Sequence, residues 1–145
     1  EVSYPIHPNS VLVTTWNPAG GRADRPEQAL TSRMINLSVP LPTEAEEREM
    51  LAGRLNEEFG MDVKPADVAN DVSFMRNMRD LAEQGSLDME PGFRSTAFFA
   101  MMRLTTGDAR LAAEQVMVAA AQDSFSLDDV KQEIDMYLGR YFPNA

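Results

Sequence analysis

A chain of 145 residues, 43% of them hydrophobic, has the length of one ordinary domain and enough apolar side chain to bury a core, which excludes global disorder. Lys and Arg number 13 against 23 Asp and Glu, and the resulting net charge of −10 repels phosphate backbones, which argues against nucleic acid as a partner. There is no cysteine, so disulfides and thiolate metal sites are excluded, and no apolar run approaches the ~20 residues that span a bilayer.

The N-terminus has no basic stretch followed by an apolar one, so no secretory leader is read and the cytoplasm is the expected compartment. It begins with Glu rather than Met, which reads as a cut or processed chain. Val11-Leu12-Val13-Thr14-Thr15 is apolar and β-branched and predicts a buried strand. Asn17-Pro18-Ala19-Gly20-Gly21 follows as a loop. Pro26 to Arg33 predicts a short helix, and Met34 to Val39 a second strand with Ile35, Leu37 and Val39 on one face.

At Pro40-Leu41-Pro42 the pattern changes to helical. Thr43-Glu44-Ala45-Glu46 is a capping box, followed by Leu51, Leu55 and Phe59 on one face and Gly60 as a stop. A second helix starts near Asp67, is lined by Val68, Val72, Met75 and Ala82, and ends at Gly85. A third starts after Pro91-Gly92, with Phe98, Met101, Met102 and Thr105 inward. Asp108 caps a fourth through Leu111, Ala112, Val116 and Ala119. Ser126-Leu127-Asp128-Asp129 opens a fifth, with Val130, Ile134 and Leu138 inward. The ten methionines read as core filler, and no internal repeat is visible.

Two strands followed by five helices is an unusual inventory for a domain. Val11-Leu12-Val13 has the continuous apolarity of a parallel strand covered on both faces, and a sheet of two such strands cannot cover itself. The expected fold is therefore mainly α with a short β part: residues 1–40 close an α/β sheet, and residues 41–145 form a helical bundle.

Asn17 stands where the first strand ends, the position at which parallel α/β sheets bind ligands; its amide can bond a γ-phosphate or orient water, or simply start a turn with Pro18. Arg33, ahead of the second strand, is either a surface cation paired with an acid or a guanidinium aimed at developing phosphoryl charge. Arg94 opens the third helix, where read by itself it complements acids near the helix start. His7 is the only histidine and reads as a loop residue, so no metal site is expected. Asp128, Asp129, Glu133 and Asp135 read as a solvated helix face.

Taken together, these segments resemble AAA+ ATPases of the MoxR branch and its dynein-related and midasin-like relatives. The likeness is carried by a strand ending in Thr-x-Asn-Pro, a Gly-rich insert, Pro-Glu-x-x-Leu-x-x-Arg-Met, a strand, and Pro-x-x-x-Glu-x-Glu-Arg opening the helices. It is good over residues 9–55 and looser beyond. It implies that Asn17 is the sensor-1 asparagine and Arg33 the arginine finger, with Met34 in place of the usual aromatic. Glu44 to Arg48 would begin the helical lid. Gly92-Phe93-Arg94-Ser95-Thr96 is similar to the sensor-2 helix, with the arginine displaced ahead of Ser-Thr, and this likeness implies that Arg94 binds the nucleotide, with Arg103, about two and a half turns on, the weaker candidate.

The resemblance implies the C-terminal core-and-lid portion of a P-loop ATPase, bound to ATP and Mg²⁺ in the full-length parent. Its partners would be the other subunits of a homo-oligomeric, hexameric ring and a protein client that it remodels in a chaperone-like way; neither nucleic acid nor membrane is implied. There is no Gly-x-x-x-x-Gly-Lys-Ser/Thr loop and no strand ending in Asp-Glu. The chain alone is therefore expected to hold no cofactor and to turn over no ATP. A non-enzymatic helical interaction domain is the alternative, and an active enzyme with an unfamiliar site is the third reading.

Overall fold

The computed structural model describes residues 39–85, 91–118 and 127–143, together with positions 9, 11, 13, 15, 35 and 37. The chain forms two compact units, Glu1–Pro40 and Leu41–Ala145. In the first unit, the described positions of the two expected strands are not in strands. The expected burial also fails there: Val11, Val13, Ile35, Leu37 and Val39 are 78–91% exposed. A strand stays buried on both faces only between covering layers, and among the described residues none covers these side chains. The short helix expected over Pro26 to Arg33 lies outside the described residues.

All the regular secondary structure described in the second unit is helical. Helix α1 (Glu44–Phe59) begins with the expected capping box: the Thr43 hydroxyl accepts from the Glu46 amide, and the Glu46 carboxylate accepts from the Thr43 amide at 2.8 Å. It ends at Gly60, whose φ of 64° is left-handed backbone that glycine adopts without strain. Helix α2 (Ala69–Glu83) starts two residues later than Asp67, which instead accepts from the Lys64 amide at 2.9 Å. Helix α3 (Phe93–Thr106) is followed by the short α4 (Ala109–Ala113), where the Asp108 carboxylate accepts from the Leu111 amide at 2.9 Å as its cap. A single π-helical turn, Glu114–Val118, continues α4, and α5 (Leu127–Tyr141) closes the unit.

Two hydrophobic clusters hold these helices. One joins Phe74, Met75, Met78, Phe99, Ala112, Met117, Ile134 and Leu138. The other joins Leu51, Leu55, Val63, Val68, Val72, Ala97 and Ala100. Phe74 and Phe99 meet at 5.1 Å between ring centroids, and Phe142 closes over both at 6.2 and 5.9 Å. Helix α3 contributes to both clusters, which corrects its expected face. Thr96, Ala97, Phe99 and Ala100 are buried, whereas Phe98 and Thr105 are exposed. A helix packed on two sides has a wide inward arc, and its small alanines let neighbours approach closely; a single apolar stripe was the wrong template. Leu111 is likewise exposed, while Ala112 and Ala113 are buried.

Candidate functional site

The N-terminal end of α3 is built around a buried carboxylate. Glu47 lies on the inward face of α1, one turn before Leu51, and is 1% exposed. Arg79, on the inward face of α2 one turn after Met75, forms a two-pronged pair with it, one contact at 3.1 Å. The same guanidinium donates through Nε to the Pro91 carbonyl at 2.9 Å and through Nη2 to the Thr96 hydroxyl at 2.9 Å. Arg76, one turn earlier, donates to Glu47 at 2.9 Å and to the Pro42 carbonyl at 3.0 Å. One carboxylate thus ties the entrance of α1 to the entrance of α3 through two arginines of α2. Burial pushes Glu47 up, but the hydrogen bonds and charges of Arg79 and Arg76 outweigh it and hold the carboxyl below its usual range.

The other end of α3 is held by a different pair. Arg103 donates to Asp71 through Nε at 2.5 Å and Nη2 at 2.7 Å, and also to the Asp67 carbonyl at 2.9 Å. Its guanidinium lies 5.5 Å from the Phe142 ring centroid. Asp71 is fully buried; burial pushes its carboxyl up, and Arg103 only partly offsets this.

Arg94 is the second residue of α3 and is exposed. Among the described residues it has no hydrogen-bond or ion-pair partner. The first turn of α3 has no acidic residue, and its N-cap, Gly92, supplies no side-chain acceptor. The amides at this end are the positive pole of the helix, and Arg94 adds a full positive charge there. Asn17, Arg33 and His7 lie outside the described residues, as do the side chains of Asp128 and Asp129. Among the described residues, no group of three or more His, Asp or Glu side chains could hold a metal ion, and no helix is long and apolar enough to cross a membrane.

Comparison with known proteins returns no matching family model, no matching curated protein and no matching solved structure. The geometry of the helical unit must therefore carry the functional argument.

Sequence reasoning singled out Arg94 and Arg103 but missed Glu47, Asp71, Arg76, Arg79 and Thr96. A signal existed. Glu47 shares the stripe of Leu51 and Leu55, and Arg79 that of Val72 and Met75. A charged residue on an apolar stripe needs a buried partner on a facing helix.

Proposed function

We propose that this chain is the C-terminal core-and-lid part of a MoxR-like AAA+ ATPase, with residues 1–40 ending the α/β core and residues 41–145 forming the helical lid. In the parent protein the lid would report nucleotide state to a hexameric cytoplasmic ring that remodels a protein client. The observation that carries the reading is the contrast between the two arginines of α3. Arg103 is committed to Asp71, which removes it as a phosphate ligand. Arg94 has no partner among the described residues and stands at the positive end of a helix, where a phosphate is the favoured counter-ion.

In this reading Asn17 bonds the γ-phosphate or its attacking water within its own subunit. Arg33 stabilises charge on the neighbour's transferring phosphoryl group, and Arg94 contacts phosphate from the lid. ATP would supply the phosphoryl group and Mg²⁺ would neutralise its charge in the parent; the loop and acids that would hold them are not in this sequence, so the chain by itself should turn over no ATP. A non-enzymatic helical interaction module is the second reading, favoured by the exposed Met50, Phe98 and Met136 on the helical unit.

The test is made in the ring-forming parent. Arg33→Ala should lower hydrolysis by roughly 10³–10⁵ and leave nucleotide binding intact, as removal of an in-trans arginine does. Mixing it with Asn17→Ala subunits should restore some turnover, because each dead variant keeps the residue the other lacks. Near wild-type turnover by Arg33→Ala, or steady ATP turnover by this chain alone, would sink the reading.

A further inference from the structure

Helix α1 carries an outward groove that neither the bundle core nor the nucleotide reading uses. It is open, about 490 Å³ in volume, and lined by Met50, Gly53, Arg54, Glu57, Glu58 and Phe93. Met50, Gly53, Arg54 and Glu57 follow at helical spacing along one face of α1, and Phe93, the first residue of α3, forms the far wall. Met50 is 51% exposed and with Phe93 supplies the apolar part of the lining.

Gly53 is the informative residue. It sits in the interior of α1, where glycine is a poor helix former. Its backbone is not left-handed, and a Cβ built on it would meet nothing within 4 Å. Neither conformation nor packing therefore requires glycine there. Gly53 lines the groove together with Met50 and Phe93, and its missing side chain leaves open space there.

The charge on the groove walls indicates what would enter. Arg54 is occupied by Glu58 at 2.9 Å and lies 5.9 Å from the Phe93 centroid. Glu57 has no ion-pair partner among the described residues, and exposed Glu49 stands beside Met50 one turn before Gly53. Glu58 is spent on Arg54, so Glu57 in the lining and Glu49 beside it leave the groove an acidic edge, on a chain of net charge −10. A second copy of the chain would bring like charge to that edge.

We propose that this groove docks a basic amphipathic helical segment of a partner protein, with one large apolar side chain seated over Gly53 and lysines or arginines against Glu49 and Glu57. The inference stands independently of the ATPase reading.

The probe is a fluorescent Leu/Lys amphipathic peptide of about 16 residues, long enough to hold a helix, titrated against the chain by anisotropy. Gly53→Leu should fill that open space and weaken binding by at least about tenfold. The same substitution should raise the thermal midpoint by roughly 3 °C, because leucine is the better helix former. Loss of affinity with gain of stability separates a filled site from a damaged fold. With ¹³C-methyl methionine, the Met50 methyl should shift on titration, while the still more exposed Met136 on α5 stays in place. Unchanged affinity of Gly53→Leu, or uniform shifts of Met50 and Met136, would mean diffuse charge attraction and overturn the proposal. So would self-association of the chain that Gly53→Leu abolishes, since a second copy would then be the occupant.

Discussion

The two ends of α3 present arginine in opposite ways. At the C-terminal end Arg103 lies in the last turn, where the helix field favours a cation, and it spends its donors on Asp71 and the Asp67 carbonyl. At the N-terminal end Arg94 lies where the field opposes a cation, and it has no partner among the described residues. What fixes the N-terminal end is another arginine, Arg79, which reaches Pro91 and Thr96 from α2. The helix entrance is thus held by a residue that does not need Arg94, and Arg94 is left without a structural task. The two buried carboxylates differ in the same spirit. Glu47 meets two arginines and is held low, whereas Asp71 meets one and is pushed up. Asp71 also feels the stronger desolvation, so burial prevails there, while two arginines prevail at the less desolvated Glu47.

The contrast can be broken first at Arg79. Arg79→Met removes the main partner of a buried carboxylate and should cost roughly 3–5 kcal/mol of unfolding free energy, read by urea denaturation. Arg103→Ala should cost less, about 1–3 kcal/mol, because Arg103 is partly exposed and Asp71 can take up a proton. If the two costs were reversed, the assignment of the anchoring role to the Glu47 network would be wrong.

Acid titration sharpens the comparison of the carboxylates. Glu47 is depressed in the folded chain, so its contribution is complete above the ordinary carboxylate pKa of about 4 and is lost as pH falls through the lower folded value. Asp71 is raised, so its contribution is complete below that ordinary value and is lost as pH rises through the folded one. In stability measured against pH, Glu47→Gln should remove a rising limb on the acid side. Asp71→Asn should remove a falling limb just above it. Identical profiles for the two variants would contradict the opposed environments.

Much of the helical unit was legible in the sequence, because its punctuation is local. Thr43 and Glu46 form their box three residues apart, Gly60 and Gly85 take the left-handed backbone that ends α1 and α2, and Asp108 caps α4. Ile134 and Leu138 face inward as their spacing predicts. The inward arc of α3 was not legible, since Phe98 and Thr105 obey the same period as Ala97 and Ala100 and only the neighbouring helices decide between them. The Glu47 network escaped for a related reason. Its members are separated by 17 to 32 residues, and periodicity can flag a charge on an apolar stripe without naming its partner. The two apolar runs of the first unit show the opposite error. Their composition reads as buried strand, yet Val11, Val13, Ile35, Leu37 and Val39 are exposed, because burial requires covering layers that composition does not supply.

The smallest expected effect on stability carries the most weight. Arg94→Ala should change unfolding free energy by no more than about 0.5 kcal/mol, and in the direction of gain, since it removes a cation from the positive end of α3. In the ATPase ring proposed as its parent, the same substitution should weaken ATP affinity by about tenfold or more, the loss of one charged phosphate contact of roughly 1.5–3 kcal/mol. Arg103→Ala, compared at a temperature where both variants are folded, should leave ATP affinity close to wild type. The decisive measurement is therefore ATP affinity for these two variants side by side. Loss confined to Arg94→Ala supports the division of labour along α3. Unchanged affinity for Arg94→Ala, with the loss found in Arg103→Ala instead, would contradict it.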